Sequence, residues 1–96
     1  MTNAVLEKAK AVSQATGIVT RMPSAADEVR LVVLDSMGNL ASETSKASPE
    51  GPMVTLSFNP SLMEKAGKEL YFLVVKGLVK GNLAWEQRLG AFRFHA

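Results

Sequence analysis

The 96-residue chain has no cysteine and one histidine, and these two shortages remove much familiar chemistry. Without cysteine there are no disulfides, no thiolate metal sites and no cysteine nucleophile. The single histidine, His95, is next to last in the chain. No histidine pair is present to hold zinc, and no base sits within the body of the chain for a hydrolytic triad. No G-x-G-x-x-G occurs, and Gly67-Lys68 lacks both the upstream glycine and the following Ser/Thr of a phosphate loop. Asp35 and Asn39 flank a turn but do not follow the spacing of a calcium loop. Asp27-Glu28 would send adjacent carboxylates to opposite sides of a strand. The reading is therefore no enzyme, no cofactor and no metal, with a carboxylate-only enzyme as the remote alternative.

Long apolar runs are also missing. None approaches the roughly 18 residues of a membrane span. The start, residues 1–7, has neither the basic nor the hydrophobic part of a secretory signal. A cytoplasmic or virion location without membrane contact is expected. The only N-x-S/T site, Asn59-Pro60-Ser61, is blocked for glycosylation by its proline.

What the chain does have is 47% hydrophobic residues, enough for one core in a single domain of this length. Residues 3–15 space Val5, Ala9 and Val12 as one narrow helical stripe, with Gly17 placed to end it. They predict an N-terminal helix or arm over 1–15, followed by one β domain over 16–96. From Thr16 the period changes to two. Strands are predicted near 18–22, 28–35, 40–44 and 53–58, with a turn at Ser36-Met37-Gly38-Asn39 and a loop over 45–52 that its proline and glycine keep from pairing. Asn59-Pro60-Ser61 opens a one-turn helix near 61–66.

The most informative segment is 69–95. Gly81-Asn82 separates two long alternating runs and predicts a hairpin with its turn there. That register puts Phe72, Val74, Lys76 and Leu78 opposite Ala91, Leu89, Gln87 and Trp85 on a core face. The second face then carries Tyr71, Leu73, Val75 and Val79 opposite Phe92, Gly90, Arg88 and Ala84. This second face is also apolar, continued by Phe94 and by Val32 and Leu34 of the strand at 28–35. A small antiparallel sheet ordinarily keeps one face polar. Three or four large wet side chains would forfeit several kcal/mol at about 25 cal/mol per Å². The expectation is an interface on Tyr71, Leu73, Val75, Val79, Phe92, Phe94, Val32 and Leu34. A bulge at Gly90 is the alternative, and it would turn Phe92 and Phe94 toward the core.

Residues 62–75, with Leu62, the Gly67 turn and Tyr71 opening a strand, resemble the late corner of immunoglobulin-like and fibronectin-like sandwiches. The likeness implies a sandwich and carries over no site. The predicted fold is thus mainly β: a small antiparallel sandwich, Ig-like or jelly-roll-like, of about six or seven strands with two short helices.

Charge is uneven along the chain. Residues 1–69 hold seven basic and eight acidic groups, and residues 70–96 hold Lys76, Lys80, Arg88 and Arg93 against Glu86. Those four cations are the candidates for an anionic ligand. Three functions compete. The first is a non-enzymatic structural or interaction domain that self-assembles as a homo-oligomer or docks on a larger assembly, as phage or viral structural subunits do. The second is a small inhibitor or immunity protein bound to another protein. The third is a single-stranded nucleic-acid binder using the basic hairpin. A sugar stacked on Trp85 or Tyr71 would be a fourth kind of ligand.

Overall fold

The computed structural model describes residues 17–65 and 67–94, with the side chains of Met63 and Lys65 left out. The helix expected over 3–15 lies outside the described residues. Within them the chain is mainly β. It runs β1 (Gly17–Arg21), β2 (Glu28–Leu34), β3 (Leu40–Ala47), β4 (Met53–Ser57), a 3-10 helix (Pro60–Lys65), β5 (Tyr71–Val79) and β6 (Asn82–Phe92). The expected one-turn helix is this 3-10 segment, begun by Pro60, whose fixed φ suits a first helical position.

The strands form two antiparallel sheets, one of four strands in the order β3-β2-β5-β6 and one of two, β1-β4. β3 is longer than its sequence suggests. Its last residues lie in what the loop signals claimed, because β2 offers partners along its whole length and pairs Glu28 with Ala47. The loop is confined to residues 48–52, where Ser48 and Gly51 take positive φ. At the other end of β2 a tight turn is organised by Asp35. One of its carboxylate oxygens accepts N–H bonds from Met37 and Asn39, both at 2.9 Å.

One core serves both sheets. Val29, Leu31 and Val33 of β2 and Tyr71, Leu73 and Val75 of β5 meet Ile18, Val54 and Leu56 of the small sheet, closed off by Phe58, Leu62 and Phe94. Burying each such side chain contributes about 1.5–3 kcal/mol. Thr44 Oγ1 donates to the Ser57 carbonyl at 2.6 Å and joins β3 to β4 across the gap between the sheets.

This core corrects the face assignment made from sequence. The turn of the β5–β6 hairpin is Lys80-Gly81, not Gly81-Asn82, since Val79 pairs with Asn82. Both turn residues have positive φ, 51° and 82°, the geometry of a two-residue turn that matches strand twist. The ladder then shifts twice, between Gly77 and Leu78 and between Leu73 and Val74, before returning Tyr71 to Phe92. Each shift leaves one β6 residue, Ala84 or Leu89, without an opposite number, and each changes which side chains point inward. Val75 thereby meets Gln87 instead of Arg88, and Gly77 meets Trp85 instead of Glu86. The odd-numbered face of β5 is freed of charge and becomes the core face.

Candidate interaction surfaces at the two ends of the larger sheet

The chain itself covers most of the panel that the sequence assigned to an interface. Tyr71, Leu73, Val75 and Phe94 are buried in the core, and Phe92 packs against it. They form no exposed surface. Phe94 and Phe92 stand edge-to-face at 4.7 Å, and Phe94 meets Phe58 in the same way at 5.1 Å. Val32 is buried and Leu34 half-buried on the opposite, outer face of the four-stranded sheet. Val79 alone of the eight is an exposed hydrophobic, at the hairpin end.

The outer face follows from the register as four crosswise rows. The first is Leu40–Leu34–Phe72–Ala91, and the second is Glu43–Val32–Val74–Arg88. The third is Ser45–Arg30–Lys76–Glu86, and the last is Ala47–Glu28–Leu78–Leu83. The middle is a band of paired charge. Arg30 lies 2.8 Å from Glu28 and 3.7 Å from Glu43, and Arg88 lies 3.3 Å from Glu86. The Arg30 pKa is raised, chiefly by its hydrogen bond to Glu28 and then by the Glu28 charge. Val32, Val74 and Leu78 within these rows are buried. Exposed apolar area is thus concentrated at the two ends.

At one end, Met37 (83% exposed), Leu40 (61%) and Phe72 (38%) lie beside the β2–β3 turn. Adjoining them is a cleft of about 340 Å³, lined by Asp35, Leu40, Ser61, Glu64, Glu69 and Tyr71. Among the described residues no acidic group here forms an ion pair, and no three of them converge closely enough to hold a metal ion. Tyr71, 3% exposed, is also among the residues that line this cleft. Burial raises the phenol pKa above its usual 10.0, and Glu69 and Asp35 add to the rise.

The sign follows from linkage. A phenol that ionises at higher pH in the folded chain than in the unfolded one stabilises the fold below about pH 10, and this contribution is lost as pH rises through the folded value. The chain has a single tyrosine, so its phenolate absorbance reports this group alone. We expect the folded midpoint to exceed that measured in denaturant. Coincident midpoints would contradict the placement of Tyr71.

The opposite end is the β5–β6 turn. Val79 and Leu83, 38% and 57% exposed, flank Lys80. The Lys80 N–H is held by Asp27 Oδ2 at 2.7 Å, while the Asp27 N–H donates to the Leu78 carbonyl at 2.8 Å. The tip is therefore fixed in place by the strand entry that the sequence marked only as a charged dipeptide. Lys80 takes part in no ion pair among the described residues.

The four candidate cations do not form one site. Lys76 and Arg88 share the outer face, where Glu86 lies across from Lys76 and pairs with Arg88. Lys80 is at the turn, and Arg93 follows the far end of β6. Trp85 is on the inner face, its Nε1–H donating to the Ser24 carbonyl at 3.1 Å. The acidic cleft was not singled out from sequence, and of the hairpin tip the sequence reading named Val79 and Lys80 but not Leu83. The tip had a signal in Val-Lys-Gly followed by Leu83, but the cleft is assembled from segments far apart in the chain.

No helix among the described residues is long and apolar enough to cross a membrane. No protein-family model, curated protein or solved structure matches this chain.

Proposed function

We propose that this protein is a non-enzymatic interaction domain, a small β-sandwich that works by associating with copies of itself. The observation that carries this reading is that, of the six large hydrophobic side chains exposed among the described residues, all but Met53 lie at the two ends of the larger sheet, Met37, Leu40 and Phe72 at one and Val79 and Leu83 at the other. A small domain gains nothing in its own stability from wet leucine and phenylalanine, and apolar side chains grouped in this way are what a docking site presents.

One feature weighs against the nucleic-acid reading. The basic side chains are dispersed or already paired with Glu86, whereas a nucleic-acid groove gathers unpaired cations along one track. The test is sedimentation velocity over a hundredfold range of concentration. Mass-average size is expected to rise with concentration, and a monomer throughout would defeat the reading.

A further inference from the structure

The two exposed ends are complementary to each other. One presents an apolar row beside a cleft ringed by Asp35, Glu64 and Glu69. The other presents one cation, Lys80, between Val79 and Leu83. They sit at opposite ends of β5, Tyr71 and Phe72 at its start and Val79 at its finish. At about 3.3 Å per residue they are too far apart to meet within one molecule. Resting on the self-association reading above, we propose that the β5–β6 hairpin tip of one copy docks on the acidic end of the next, with Lys80 directed into the cleft and Leu83 against Leu40 and Phe72.

Two observations favour a second copy as the occupant. The charges are opposite and unpaired on both sides among the described residues. The spaced carboxylates also suit an ammonium on a flexible stem better than a bare ion. The tip is preorganised as well, since Asp27 holds its backbone in the turn conformation before any partner arrives. Such a contact uses two different patches on each molecule. It is heterologous, and it builds rings or open filaments instead of closing at a two-fold dimer.

Two double variants test this. Lys80→Asn with Leu83→Asp disables the tip, asparagine being at ease with positive φ. Glu64→Lys with Glu69→Lys disables the cleft end. All four positions are exposed or half-exposed, and thermal melts check that each variant folds. Each variant alone is expected to remain monomeric at concentrations where the wild type associates, a weakening of roughly tenfold or more. Mixed in equal amounts, they are expected to form a 1:1 dimer that grows no further, because each retains one intact surface. Association of the wild type should also weaken as salt is raised. A wild type that stops at dimer, or a mixture that stays monomeric while the wild type associates, overturns head-to-tail docking and leaves self-association standing. A wild type that is monomeric throughout overturns both.

Discussion

Phe94→Ala is expected to lower stability by about 3–5 kcal/mol, the usual cost of deleting a fully buried phenylalanine ring. Phe94 is 0% exposed although it lies close to the end of the chain. Its ring meets Phe58 at 5.1 Å, Phe92 at 4.7 Å and Tyr71 at 6.0 Å, and its carbonyl accepts the Gly67 N–H. The residue thus ties the end of β6 to the corner that leads into β5. Truncation leaves a cavity lined by three rings anchored in different elements, which cannot all collapse into it. Domains of this size have about 5–15 kcal/mol to lose. Urea titration should show the midpoint falling sharply at unchanged slope. A loss below about 1.5 kcal/mol would mean the ring is not a core element.

Gly77→Ala is the second large effect, and its cause is close approach. Gly77 lies on the inner face of β5 opposite Trp85, and a Cβ at this position would come within 2.1–2.5 Å of three indole atoms, far inside van der Waals contact. The added methyl displaces the only tryptophan and breaks the bond from Nε1–H to the Ser24 carbonyl. Overpacking of this kind costs about 1–3 kcal/mol. Because the chain has one tryptophan, its emission reports the displacement directly and should shift to longer wavelength. In a Trp85→Ala background the same glycine substitution should cost little, since the steric conflict is gone. Equal costs in the two backgrounds would refute the contact.

Sequence alone conveyed the mainly β class, the positions of most strands and the alternating patterns of β2 and β5. It misled at the hairpin for a definite reason. Lysine at positive φ is unusual, so Gly81-Asn82 looked the better turn. That displacement moves the pairing by two residues and leaves every side chain on its own face, so the reversal came from the bulges. The two bulges, which turn residues 85–88 over relative to an unbroken ladder, leave little local mark in the sequence. Ala84 resembles any other strand residue, and only Gly90, weighed as a bulge site, gave a hint. A better signal was available in charge. The even-numbered face of β5 carries Lys76, while Tyr71, Leu73, Val75 and Gly77 carry none, which is what a core face requires. The acidic cleft was not legible, because Asp35 and the pair Glu64 and Glu69 belong to segments joined only by folding. Each carboxylate taken singly resembles a solvated turn residue.

The two unpaired residues of β6 have one more consequence. β6 is a long strand at the margin of its sheet, and a straight margin of that length is an open template on which stray extended chains grow. Ala84 and Leu89 bend it out of true at two places, so that no long stretch of its backbone offers evenly spaced partners. The kinks that turn Trp85 and Phe92 inward thus also break up this flank as a template for fibril-like growth.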